Sequence, residues 1–363
     1  MKHCIRLFSI FLILNSFQLN AQQDGLVLLV DSIPGMHPDA QRLYNEGIME
    51  YDGGRKEMAI QKFTECLQLE PKFASAYINR GKIYLQLQQY DKALADAESF
   101  IQNNDSSSAG YELKAMLLIE KKQIEDAVNA LNQAITRASG QSQLYYQRAM
   151  LFYELTKWDQ ALADMNEVIR LKPNHAEAYN DRGSIKRKLG KIEDAIADYK
   201  WAVKTDSKLA FAHNNLGSIL REKGDHAGAI KAYNDALLVK KDYYIAMNNR
   251  GLALMSLGRF DEALKDFAEV IRIQPSYVFA YNNRAAAYIK LKKYNEAVTD
   301  CNKAIEIDTQ YGDAFLNRGI AREMLRQDEA ACKDWLQAAS LGILSGETYY
   351  NSGVCAEVER LKK

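Results

Sequence analysis

Alanine recurs every 34 residues, nine times in succession, at Ala59, Ala93, Ala127, Ala161, Ala195, Ala229, Ala263, Ala297 and Ala331. Twelve residues before each stands Gly or Ala: Gly47, Gly81, Ala115, Ala149, Gly183, Gly217, Gly251, Ala285 and Gly319. A fixed period of this length marks an array of small units, each burying its apolar face against the next. It also makes the chain its own alignment, in which nine copies can be compared position by position.

Position 1 of the copies is set at Ala40, Ala74, Ser108, Ser142, Ala176, Ala210, Tyr244, Val278 and Gly312. Each copy then reads as two helices with apolar residues at helical spacing. The break between them falls near positions 14–16, marked by Gly53-Gly54, Gly190, Gly224 and Gly258. Acidic residues such as Glu193-Asp194 and Asp261-Glu262 open the second helix, where they oppose the helix dipole. Small residues at positions 8 and 20 let the two helices approach closely. Bulky residues fill the space around them. Position 4 holds Tyr77, Tyr111, Tyr145, Tyr179, Tyr281 and Phe315, and position 24 holds Phe63, Tyr199, Tyr233, Phe267 and Trp335. Both sets read as core.

Small residues at 8, alanine at 20, aromatics at 24 and proline at 32 (Pro71, Pro173, Pro275) together resemble the tetratricopeptide repeat (TPR) family. The resemblance implies an all-α, right-handed superhelical solenoid of nine helix-turn-helix repeats over residues 40–345. It implies a concave face lined by the first helices. Residues 22–39 precede the array as an arm or cap, and residues 346–363 follow as the end cap that repeat arrays need. Copy three is the most divergent, with Leu131 at position 24.

Residues 1–21 have a different character. Lys2 and Arg6 precede the apolar run Leu7–Leu14, and a more polar stretch leads to Ala21. That order is expected of a cleaved secretory leader, whose apolar run is too short for a permanent span. The expectation is therefore an exported chain, periplasmic or secreted, with no integral membrane segment after cleavage. Export permits disulfides. Cys66 and Cys301 fall on apolar repeat positions, whereas Cys332 and Cys355 lie close together near the C-terminal end, and their pairing stays open.

Position 7 is arginine in six copies: Arg80, Arg148, Arg182, Arg250, Arg284 and Arg318. Position 23 is aspartate in the same six: Asp96, Asp164, Asp198, Asp266, Asp300 and Asp334. Copy six has Leu216 with Ala232, and copy one reverses the signs with Glu46 and Lys62. Only Lys114 with Ala130 breaks the rule. Charges that appear and reverse together predict an ion pair within each helix pair, such as Arg250–Asp266 and Arg284–Asp300, and not an anion-binding ladder.

Positions 2, 5, 6 and 9 share one stripe of the first helix. Position 6 carries Asn45, Asn79, Asn215, Asn249, Asn283 and Asn317, and position 5 carries Asn180, Asn214, Asn248 and Asn282. Asparagine is a mediocre helix former, so its repetition needs a cause outside propensity. Its amide both donates and accepts, which matches a peptide backbone. Phe211, Ile245 and Phe279 stand at position 2 of copies six to eight, adding apolar grip. The arrangement is similar to the asparagine ladder in the repeat domain of O-linked GlcNAc transferases, although no catalytic domain of that family is present. The basic clamp for acidic tails found in other TPR proteins is disfavoured, since Lys82 stands alone. The alternative for the asparagines is bonding between neighbouring repeats.

The formal net charge is zero, which gives no bulk attraction to nucleic acid or an anionic membrane. No phosphate loop, nucleophile elbow or His-Glu-x-x-His is present. His37, His175, His213 and His226 do not cluster in the sequence, and His213 takes position 4. The expected function is a scaffold binding protein or extended peptide, without catalytic residues, cofactor, metal or nucleic acid. A self-associating structural protein is the alternative, and an enzyme the least favoured reading.

Overall fold

The computed structural model describes Leu26 and residues 35–361; the expected leader and most of the expected arm lie outside them. The described residues form twenty helices and no strand. Eighteen helices make nine pairs in register with the repeat, from Pro38–Asp52 with Lys56–Leu69 to Gly312–Met324 with Asp328–Ser340. Within each unit the two helices of a copy pack most extensively on each other, and each second helix also meets the first helix of the next copy. The fold divides into two compact units, ending at Lys191 and beginning at Ile192. The boundary falls within copy five.

All nine position-20 alanines are fully buried. Position 8 is matched to position 24 in size except in copy two, where Gly81 stands with Ala97 and Leu113 of the next copy fills the space. A Cβ added to Gly47, Gly217 or Gly251 would stand 2.8, 2.7 or 2.6 Å from the ring of Phe63, Tyr233 or Phe267. Where position 8 is already alanine, at Ala115, Ala149 and Ala285, position 24 is Leu131, Met165 or Cys301, all fully buried. The extra methyl on one helix is offset by a smaller or more flexible side chain on the other.

The residue that ends every first helix lies in the left-handed region at position 15. Four copies use glycine there, Gly54, Gly190, Gly224 and Gly258. The other five use Gln88, Lys122, Thr156, Lys292 and Arg326, with φ between 57° and 60°. The glycines seen in the sequence mark the turn, but the turn does not depend on them.

The position-4 aromatics form the edge of the core: Tyr281 is buried within it, and Tyr77, Tyr111 and Tyr145 pack against it. Unlike the position-24 rings they are mostly half-buried, packed on the core by one face and covered by an arginine on the other: Arg148 over Tyr145 at 5.7 Å, Arg182 over Tyr179 at 5.3 Å, Arg318 over Phe315 at 5.2 Å. Their polar tips also tie down the preceding turn. Tyr77 and Tyr281 donate to the carbonyls of Pro71 and Pro275, each at 3.1 Å. His213 lies 3.1 Å from the Ser207 carbonyl at the same register, a structural role for that imidazole.

At the ends, Leu26 is buried in the core of copy one. Helices Leu344–Tyr350 and Gly353–Leu361 pack on the second helix of copy nine. A Cys332–Cys355 disulfide, with Cα atoms 5.6 Å apart, fastens the last helix. Cys66 and Cys301 are buried thiols, and burial pushes each up to about 12, which leaves them unreactive.

Candidate functional site

Five of the expected Arg–Asp pairs, two in the first unit and three in the second, are bidentate. Arg250 donates to Asp266 at 2.9 and 2.6 Å, and Arg284 to Asp300 at 2.7 Å twice. Arg80–Asp96, Arg148–Asp164 and Arg318–Asp334 repeat the geometry. Burial pushes the Asp96 and Asp164 carboxyls above the usual range, while their arginines pull the other way. Glu46 and Lys62, the reversed pair, meet at 2.8 Å.

The arginine also has a second partner. Its other nitrogen reaches position 25 of the preceding copy: Arg80 to Thr64, Arg148 to Asn132, Arg182 to Asn166, Arg250 to Asn234 and Arg318 to Asn302. Arg284 has Ala268 at that register and bonds Asp300 alone. The exception Lys114 follows the same geometry, bonding Glu98 of the preceding copy at 2.9 Å. The guanidinium fork therefore staples helices within a copy and copies to each other. These side chains are committed to structure.

The asparagines divide into two sets. Asn249 donates to Oδ1 of Asn214 at 3.1 Å, Asn283 to Asn248 at 2.9 Å and Asn317 to Asn282 at 2.8 Å. In each rung position 6 of one copy donates to position 5 of the copy before it. The position-5 asparagines are buried, so Asn180, Asn214, Asn248 and Asn282 do not line an open surface as expected. In copies six to eight the helical rotation that leaves position 6 half-buried turns position 5 under the next first helix. Asn180 donates to Asp181 at 3.0 Å, and Asn282 reaches the Tyr311 hydroxyl at 3.4 Å.

The position-6 residues Asn215, Asn249, Asn283 and Asn317 are half-buried. Asn249, Asn283 and Asn317 each make one side-chain bond, which leaves Oδ1 and a second N–H uncommitted among the described residues. Phe211 is 38% exposed, and Ile245 and Phe279 are half-buried. Phe279 sits between two tyrosines of successive copies, 5.2 Å from Tyr277 and 5.5 Å from Tyr311. These tyrosines were missed in the sequence. Both occupy position 34, and their recurrence was the available signal.

Profiles of the tetratricopeptide repeat match residues 62–95, 109–140, 146–185, 180–245, 244–277 and 278–311. The chain belongs to the tetratricopeptide repeat family. It is 42% identical over 55 residues to the small glutamine-rich tetratricopeptide repeat-containing protein 2 of Saccharomyces cerevisiae, covering 15% of this chain and 16% of that protein. It is 32% identical over 78 residues to the TPR repeat-containing thioredoxin TDX of Arabidopsis thaliana, covering 22% of this chain and 20% of that one. The chain thus spans a fifth or less of the length of these two TPR relatives. Among solved structures, the C-terminal part of a TPR repeat-containing protein from Cytophaga hutchinsonii superposes with a TM-score of 0.51 at 21% identity. That match covers 64% of this chain and 97% of the other, and it shows the shared fold.

Among the described residues no three His, Cys, Asp or Glu side chains gather as a metal-binding group. No described helix is long and apolar enough to cross a membrane.

Proposed function

We propose that this TPR protein is an exported, non-catalytic scaffold that holds an extended peptide along the first helices of copies six to nine. The observation that carries the reading is the uncommitted half of Asn249, Asn283 and Asn317, repeated at one register beside Phe211, Ile245 and Phe279. Each rung orients its amide, so the ladder is preorganised and a ligand does not have to order it. An extended backbone presents N–H and C=O groups in alternation, the complement of a free oxygen and a free N–H. Each such bond adds about 1 kcal/mol net, so affinity arises from several copies acting together. The aromatic and aliphatic side chains add apolar contact without demanding one sequence.

Export is supported by the leader-like residues 1–21 and by a disulfide at Cys332–Cys355, a bond that persists in oxidising compartments. Cell fractionation tests it: the mature chain should begin at Gln22 outside the cytoplasm, and an intact leader on cytosolic protein would overturn it.

The surface assignment is tested by placing the photo-crosslinker p-benzoylphenylalanine at Ile245 and, separately, at Leu238, which is exposed on the second helix of copy six. With peptides selected from a random display library, the variant at 245 should crosslink and the one at 238 should not. Equal labelling, or labelling at 238 alone, would move the site off the first helices.

A further inference from the structure

Copy six holds two buried nitrogens without a hydrogen-bond partner among the described residues, Nε of Arg221 and Nδ1 of His226. Arg221 is half-buried and makes no ion pair among those residues either. The other half-buried arginines of this unit, Arg250, Arg284, Arg318 and Arg322, each meet an aspartate. A guanidinium drawn partly out of water without a counter-ion is costly. Its place in the last turn of helix Ala210–Glu222 favours a cation but gives the Nε–H no acceptor.

Arg221 and His226 stand at positions 12 and 17 of their copy. In copy four the same positions carry Tyr153 and Trp158, whose rings meet at 4.7 Å. The register therefore sets the guanidinium beside the imidazole. Position 12 lies three residues beyond position 9, on the stripe that also carries the position-2 side chains. Along the second unit it reads Arg221, Met255, Ile289 and Glu323: a cation, two apolar side chains and a carboxylate. Glu323 is half-buried, and its side chain makes no hydrogen bond or ion pair among the described residues. It falls in the last turn of helix Gly312–Met324, where a negative charge opposes the dipole, so the helix itself gives no reason for it. Asp313, exposed at position 2 of the same helix, adds a second carboxylate at that end.

We propose that the groove of copies six to nine is electrically polar and selects peptides with an acidic side chain at one end, a basic side chain at the other and apolar residues between them; this rests on the peptide reading above. The acidic side chain accepts from Arg221, and from His226 when Nδ1 carries the proton. The basic side chain meets Glu323. A peptide of one charge sign, or one with the two charges exchanged, leaves a half-buried charge unanswered. First helices of successive copies touch in this unit. Helices in contact lie about 8–10 Å apart, so the three steps from copy six to copy nine span about 24–30 Å. An extended chain rising about 3.3 Å per residue covers that span in about seven to nine residues.

Peptides of about twelve residues, long enough to cover the span, are selected from a random display library on the full chain and then titrated against it and its variants. The selected sequences should carry an acidic and a basic residue about seven to nine apart, in one constant order. Arg221→Met, which installs the side chain of copy seven, should bind a selected peptide about tenfold weaker. A peptide whose acidic residue is replaced by alanine should bind that variant and the unaltered protein alike. Glu323→Ile, which installs the side chain of copy eight, should show the same pattern for the basic residue. Both variants should melt no lower than the unaltered protein, since neither loses a partner. A clearly lowered melting temperature would reveal a structural role for that charge and overturn the proposal. So would selected peptides without the charge pair, or unchanged affinity in either variant. Crosslinking from position 245 separates the two readings. Peptides that label there without charge preference overturn the polarity alone, and peptides that do not label there overturn the groove with it.

Discussion

In the second unit, Asn214, Asn248 and Asn282 accept from Asn249, Asn283 and Asn317 in three rungs of one kind. In the first unit every rung differs: a tyrosine with an asparagine, two aliphatic residues, an unbonded Glu112 and Gln147, and a tyrosine with an aspartate. The scaffold beneath is alike in both, with buried position-20 alanines and bidentate Arg–Asp staples in two copies of the first unit and three of the second. The rung does not require asparagine, since a phenol with an amide, a phenol with a carboxylate or two aliphatic side chains occupy it in the first unit. What the second unit gains from uniform asparagines is a regular row of amides, and that regularity points to a ligand with a repeating backbone.

The largest effect should be common to both units. Asp164→Ala and Asp266→Ala each strand a half-buried arginine, and each should cost about 3–5 kcal/mol in denaturant unfolding. A much smaller loss in one unit would show that the staples are not equivalent. Arg250→Ala should likewise lower thermal stability without selectively weakening a peptide; unchanged stability with lost binding would return that arginine to the ligand.

Helix packing should respond differently where position 8 differs. Gly251→Ala forces a methyl against Phe267 and should destabilise by about 1–3 kcal/mol. Adding Phe267→Met, the solution used at Ala149 and Met165, should restore most of that loss in thermal melts. If the second change adds to the damage, the size matching of positions 8 and 24 is not causal.

At the rungs the two units should move in opposite directions. Asn283→Ala should cost about 1 kcal/mol, whereas Glu112→Asn should close the open rung and raise stability by a similar amount. A destabilised Glu112→Asn would mean that the open rung is not merely an unmade bond. Smallest is the turn at Thr156, a β-branched residue at φ 58°. Thr156→Gly should gain up to about 1 kcal/mol, while Gly258→Thr in the second unit should lose at least as much.

Much of the scaffold was legible in the sequence because packing rules repeat. The 34-residue period placed the helix pairs, and the joint variation of positions 7 and 23 identified Arg250–Asp266 and Arg284–Asp300 as contacts. What was not legible involved partners in the neighbouring copy. Asn234 and Glu98 at position 25 explain the arginine fork and the exceptional Lys114, but they answer residues 16 positions later in the next copy. Bonding between neighbouring repeats was the stated alternative for the asparagines, and the rungs, 35 residues apart, realise it, but which of positions 5 and 6 is buried was not legible. Positions 5 and 6 are adjacent on one helix and look like one surface, yet in copies six to eight position 5 is buried under the next helix and position 6 is only half-buried. The position-4 tyrosines do pack on the core, but spacing reports which face a residue lies on and not that its outer side meets an arginine.

The distinction between the two asparagine sets supplies the most direct test of the proposed groove. Asn214/Asn248/Asn282→Ala and Asn249/Asn283/Asn317→Ala remove the same three rungs from opposite ends. Both triple variants should lose stability to a similar degree, about 3 kcal/mol in all. Affinity for a peptide selected on the unaltered protein should fall by about tenfold to a hundredfold in the position-6 variant and by no more than a few-fold in the position-5 variant. Equal losses of affinity in the two variants would make the ladder a purely structural clasp and contradict the account.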